Sequence, residues 1–408
     1  MHGSMKKFIL TISCSALLWS AGAVECMLLP SISRNAGDQF AHILPERPPQ
    51  ISTVKKVAAE EPFSMYLLLR EIGVADGEAD VVYDLVFLDP DGKETQAGKE
   101  LQAVKGKLDP SGVFLAANVM MVEFTDDEKP GDYRFIATVR DRKTGKQATG
   151  EATVKFDPAG DPAPPLSEKE MDRFLTTYYR NPQPYRIMSM VESLLKFDLA
   201  SRNKKSYSPL PMLYGIAILL RDNPGQAGEF ASLISAAEPG QRLYALPIFD
   251  FLGAEVREKA KEELAPDLQE QLAAFDSKKN PLRFDTPSVP THLDLLWYEF
   301  FFTGSFEPIR KLASVLEVGK DGLKPEDYKK LGDKATPDDR RKLMNRLMEL
   351  AAGWSLTSNA RQHPLVFYYL EALDRRDGNN LPGDYARSRV REIVKATVAA
   401  QKKQPSAQ

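Results

Sequence analysis

The chain has 408 residues, with 54 Lys and Arg against 57 Asp and Glu, so its formal charge is −3. The mature charge is about −5 once Lys6 and Lys7 leave with an N-terminal leader, which argues against a general polyanion-binding surface built on clustered cations; no nucleic-acid partner is expected. Cys14 and Cys26 are the two cysteines, and only Cys26 outlasts such processing, so a disulfide-built fold is excluded as well.

The N-terminal residues have the three parts of a secretory signal peptide. Met5-Lys6-Lys7 is the basic start, Phe8 to Trp19 is almost free of charge, and Ala21-Gly22-Ala23 is a small-x-small cleavage pattern. Residues 1–23 are therefore expected to be removed. Residues 1–4 precede a Met5 that opens a conventional signal by itself. The apolar run falls short of the roughly 20 residues that cross a bilayer, and Glu25 interrupts its extension. Retention as an N-terminal anchor is the alternative. The mature chain is expected to be exported, periplasmic or associated with the cell envelope, with no later stretch of membrane-spanning length. A lipid anchor at Cys26 is not expected, because Ala23 and Glu25 stand where a lipobox has a Leu-like and a small residue. A free thiol or an intermolecular link through Cys26 stays open.

Residues 24–50 read as a Pro-rich leader, with Pro-rich joints at 44–50 and 157–165. Residues 51–157 read as short strands between turns. Ser64–Ile72 and Val81–Leu88 are strand candidates, the second ending at the turn Asp89-Pro90-Asp91-Gly92, where Pro presets φ and Gly takes the positive φ. Val113–Phe124 is a further strand region. Tyr133–Arg140 alternates, with Tyr133, Phe135, Ala137 and Val139 on one face. Lys143-Thr144-Gly145-Lys146 turns it into Glu151–Phe156. The run Pro130-Gly131-Asp132-Tyr133-Arg134-Phe135 resembles the start of the penultimate strand of immunoglobulin-like and fibronectin-like modules. The resemblance implies a β-sandwich, a Tyr133 tied back to nearby backbone, Phe135 where antibody domains carry a cysteine, and a spacer or docking role.

Past a linker at 158–166, residues 167–403 read as all helical, and 404–408 as a disordered tail. Ser167 and Glu170 form a capping box. Tyr185–Leu199 is amphipathic, and Leu210–Leu220 is apolar all round, as a buried central helix would be. Thr291 is expected to cap a helix carrying Leu293, Leu296, Trp297 and Phe300. Thr336-Pro337-Asp338-Asp339 starts another helix, on which Leu343, Leu347, Leu350 and Trp354 form one stripe. Breaks at 222–225, 303–305 and 362–364 separate helical hairpins. The stretch Thr303-Gly304-Ser305-Phe306-Glu307-Pro308-Ile309 resembles a tetratricopeptide hairpin junction. The breaks lie about 80 and about 60 residues apart, against one period near 34 in a true array, so an irregular α-solenoid or helical bundle is expected.

Catalytic motifs do not hold up. Ser52-Thr53-Val54-Lys55, Ser201-Arg202-Asn203-Lys204 and Lys143-Thr144-Gly145 match fragments of the serine–lysine pattern of penicillin-binding enzymes, but neither Ser opens a helix. His42, His292 and His363 have no second ligand at metal spacing, so no metal and no cofactor are expected. The residues singled out as a candidate interaction surface are Trp297, Tyr298, Phe302, Phe306, Trp354, Asn359, Arg361 and His363. For the aromatic run at 297–302 core packing is the competing reading, and for Asn359, Arg361 and His363 it is the satisfaction of free groups at a helix junction. The chain is expected to be a non-enzymatic interaction or assembly protein holding a protein or peptide partner in the cell envelope. The alternatives are an envelope hydrolase with paired acids acting on peptidoglycan or glycan, and a purely structural spacer.

Overall fold

The computed structural model describes residues 24–108, 112–160, 164–196 and 209–403. The expected signal peptide, the Ser201–Lys204 fragment and the expected tail lie outside them. An N-terminal β region with two sheets precedes a C-terminal part that is all helical among the described residues.

The β region runs β1 (Glu25–Ser31), α1 (Ala36–His42), β2 (Lys56–Val57), β3 (Phe63–Arg70), β4 (Glu78–Leu88), β5 (Glu94–Lys107), β6 (Phe114–Leu115), β7 (Met120–Val122), β8 (Gly131–Asp141) and β9 (Gln147–Phe156). One sheet has the order β1-β3-β6, with β7 also on β3. The other has the order β2-β9-β8-β4-β5. All pairs are antiparallel except β2 with β9. Residues of alternate parity from the two sheets share one core. Met65, Leu67 and Leu69 of β3 meet Val81, Tyr83, Leu85, Phe135, Ala137, Val139, Val154 and Phe156. Tyr133 is buried, and its hydroxyl donates to the Lys129 carbonyl at 3.1 Å.

Residues 24–50 are not a free leader. β1 pairs along its whole length with β3, from Glu25 opposite Arg70 to Ser31 opposite Ser64. Pro30 is accommodated because β1 is an edge strand, where a missing N–H leaves no gap in the ladder. The strand β5 carries no strand pattern in its sequence, which is polar and mostly exposed; it is the far edge of the second sheet, where charge discourages further pairing.

The helical part comprises α2 (Glu168–Thr177), α3 (Ile187–Lys196), α4 (Leu210–Asp222), α5 (Ala227–Ser235), α6 (Pro239–Arg242), α7 (Ala245–Leu252), α8 (Ala254–Ala260), α9 (Pro266–Ala274), α10 (Pro290–Thr303), α11 (Phe306–Val315), α12 (Pro325–Leu331), α13 (Pro337–Gln362), α14 (Pro364–Arg375) and α15 (Asp384–Lys403). Capping boxes start α2, through Ser167 and Glu170, and α13, through Thr336 and Asp339. Thr291 is not a cap: α10 begins one residue earlier at Pro290, whose ring suits the first turn.

Two apolar cores divide this part. The first gathers α2, α3, α5 and α7 to α9 around Met212–Leu220 of α4, and the second gathers α11 and α13 to α15. Helix α10 lies between them. Leu295 and Phe302 enter the first core, while Leu293, Leu296, Trp297 and Phe300 enter the second. A helix that divides two cores needs apolar residues on opposite faces, which accounts for the dense aromatic run at 297–302.

The segment after β1 joins the β region to the second core. Asp38 accepts from the Phe306 amide at 3.1 Å, capping the start of α11, and the His42 ring stacks on Phe306 with centroids 3.9 Å apart. Arg47 donates twice to Glu371, at 2.6 and 2.8 Å, while lying over the rings of Phe367 and Tyr368. Arg376 returns hydrogen bonds to the carbonyls of Ala41 and Ile43. Gly304 has φ of +64° and ends α10; its carbonyl accepts from Tyr369 and Asn35.

Candidate interaction surface

The aromatic candidates on α10 and α11 are interior side chains. Trp297 and Phe302 are each 5 % exposed and Phe306 is 4 % exposed, while Tyr298 is half-buried against Phe301 and Phe302. Phe306 in particular is covered by His42, a contact made by a segment that read as a leader.

His363 is buried at the junction of α13 and α14. Its Nδ1 lies 3.2 Å from both the Tyr179 hydroxyl and an Arg180 nitrogen, and Arg180 also donates to the Gln362 carbonyl at 2.6 Å. Burial, reinforced by the nearby Arg180 charge, lowers the imidazole pKa to about 4, so the ring is neutral at pH 7. Asn359 donates to the Ser355 carbonyl, and its own carbonyl accepts from the His363 amide. These groups complete a helix end, so His363 and Asn359 do not form an open ligand site. Arg361 is exposed.

Trp354 differs from all of these. It is 75 % exposed, and Met344, Leu347 and Leu350 are each exposed by 40 % or more. Spacings of three, three and four residues put them on one face of α13, about 15 Å long. The opposite face of the same helix, Met348, Ala352, Leu356 and Ala360, is buried in the second core. Between Arg340 and Arg361 the only carboxylate on α13 is Glu349. It is wholly buried, accepting from Arg346 at 2.7 Å and Arg389 at 2.8 Å, so it faces the interior. The outward face thus runs Arg340, Met344, Leu347, Leu350, Trp354, Arg361 with no acid on it. The sequence pattern places Leu347, Leu350 and Trp354 on this stripe but starts it at Leu343, which is half-buried; Met344 takes its place, and the stripe turns away from the core.

An open cleft of about 720 Å³ beside the start of α13 mixes Glu317 and Asp321 with Lys320, Arg341 and Lys342. Lys143-Thr144-Gly145 is a hairpin turn whose Lys143 and Thr144 amides donate to Asp141, and Ser52 donates to the Arg180 carbonyl. Among the described residues, no group of three or more His, Cys, Asp and Glu side chains is arranged to hold a metal ion, and no helix is long and apolar enough to cross a membrane.

No protein-family profile and no curated protein matches the chain. Among solved structures, a family 123 glycoside hydrolase from Clostridium perfringens is 11 % identical, with a TM-score of 0.24, over 50 % of this chain and 36 % of its own. Bacteroides uniformis beta-glucuronidase 2 is 12 % identical, with a TM-score of 0.18, over 51 % of this chain and 31 % of its own. A Salmonella alpha-2-macroglobulin mutant is 14 % identical, with a TM-score of 0.19, over 92 % of this chain and 26 % of its own. The chain therefore spans about a third or less of those proteins, and likenesses this slight carry no argument about its activity.

Proposed function

We propose that the chain is an exported, non-enzymatic interaction protein of the cell envelope, which holds a protein partner on the outward face of α13. The β region then serves as an immunoglobulin-like spacer, and the helical part as an irregular solenoid. The observation that carries the reading is Trp354, 75 % exposed in line with three other exposed apolar side chains. Aromatic anchors set in an apolar patch are the usual centre of a protein interface. The tie of Tyr133 to the Lys129 carbonyl supports the immunoglobulin-like reading of the β region. The packing of Cys26 supports an unlipidated mature protein: its thiol lies against Gly150, and burial raises its pKa to about 11, whereas a lipid-bearing cysteine must be free of the fold.

The test is site-specific photo-crosslinking in the cells that make the protein. A photoreactive residue at position 354 is expected to yield a discrete adduct in the envelope fraction, and adding Leu347→Asp is expected to abolish it. An adduct pattern indifferent to Leu347→Asp overturns the reading. N-terminal sequencing of the isolated protein is expected to start at Val24.

A further inference from the structure

We infer that the occupant of the α13 face is an apolar helix of another protein, with carboxylates near both of its ends. This rests on the interaction reading above and goes further by naming the chemistry of the partner. The face is long and narrow. Its apolar stretch from Met344 to Trp354 covers about 15 Å, and the distance from Arg340 to Arg361 along the axis is about 31 Å. Those dimensions fit one helix lying along another, with apolar residues recurring every three or four positions.

The ends determine the sign of the partner's charge. Arg340 and Arg361 close the two ends of the stripe, and neither guanidinium has an ion-pair partner among the described residues. Their neighbours Arg341 and Lys342, by contrast, are both paired with Asp338. The one carboxylate within this span, Glu349, is sealed inside with Arg346 and Arg389. A partner with acids at both ends would place charge opposite each arginine, and like charges there would be repelled.

The same arrangement argues against a second copy of this chain. Laid antiparallel, the two stripes set Arg340 against Arg361; laid parallel, each arginine meets its own counterpart. Either way the apolar centre matches and both ends repel. Helix α10 shows what a filled version looks like, because its two apolar faces are covered by two separate cores of the same chain.

The test uses the full mature chain and defined probes. After loss of residues 1–23, the tryptophans are the buried Trp297 and the exposed Trp354, so Trp354 emission reports occupancy. One probe is a synthetic amphipathic helical peptide with Leu on a single face and Glu pairs at both ends. A second is the same peptide with Lys pairs, and a third is phosphatidylglycerol vesicles. The expected result is a blue shift with the Glu-ended peptide, weakened by salt, and at least about tenfold weaker binding of the Lys-ended peptide. Arg340→Glu with Arg361→Glu is expected to invert that preference without altering the melting temperature. Equal binding of the two peptides, a shift with vesicles alone, or a dimer through α13 in sedimentation would overturn the inference. If the crosslink at position 354 still depends on Leu347 in that case, the interaction reading survives and only the acidic helix is lost. If the crosslink is indifferent to Leu347, the interaction reading itself has failed.

Discussion

Helices α10 and α13 carry the same kind of pattern to different ends. Each has apolar side chains on two opposite faces. In α10 both faces are covered, one by the α4 core and one by the α11–α15 core. In α13 only one is covered among the described residues, and the other presents Trp354 to solvent. A second apolar face is a requirement for a second neighbour. Where the chain supplies that neighbour, the residues are core; where it does not, they stay on the surface, and that is the face on which the proposed partner would dock.

The largest expected contrast is in stability. Phe300→Ala in α10 should cost about 3–5 kcal/mol, since the ring is fully buried and its loss leaves a cavity. Trp354→Ala should change stability by less than about 0.5 kcal/mol. Urea melts of the two variants measure this directly, and equal losses would erase the distinction between the helices.

Acid should loosen the junction where α13 meets α14 and the Phe300–Phe301 rings. His363 titrates near 4 when folded and near 6.5 otherwise, so the unfolded chain binds the extra proton between those values. The contribution is therefore complete above about pH 6.5 and drains away as the pH falls toward 4, by up to about 3 kcal/mol. Replacing His363 with Gln should flatten the stability–pH curve in that window; an unchanged slope would assign the acid sensitivity elsewhere.

The cover over α11 and α14 can be tested at Arg47. Arg47→Ala leaves the mostly buried Glu371 carboxylate without its bidentate partner and should cost about 2 kcal/mol. Detachment should appear as faster amide exchange in α1 and around Phe306, with α13 unaffected. The smallest effect concerns Cys26. A thiol raised to about 11 is almost wholly protonated at pH 8, so its reaction with a disulfide reagent should be much slower than that of a free cysteine, and should speed up on unfolding. Prompt reaction in the folded protein would mean that β1 opens readily.

Much of the fold was legible in local pattern. The capping residues Ser167 and Thr336, the alternation from Tyr133 to Arg140 and the apolar run at Leu210–Leu220 each carry their own signal within a few residues. The elements that escaped depend on position in a sheet. Pro30 reads as a breaker unless β1 is known to be an edge, and β5 reads as polar loop for the same reason. The candidate residues behaved similarly. Trp297, Phe302, Phe306 and His363 turned out to be interior because of contacts with residues far away in sequence, such as His42, Tyr179 and Arg180.

By itself the amino-acid sequence determined those strands and helices that carry their own local signal, such as β8, α4 and α13, and which of their side chains would share a face, because those are matters of period, capping and turn chemistry. It also determined that α10 and α13 would each have two apolar faces. Only the tertiary structure decided which of those faces found a neighbour. That outcome depends on which distant segments fold back against which helix, and the periodicity of a single helix contains no information about it.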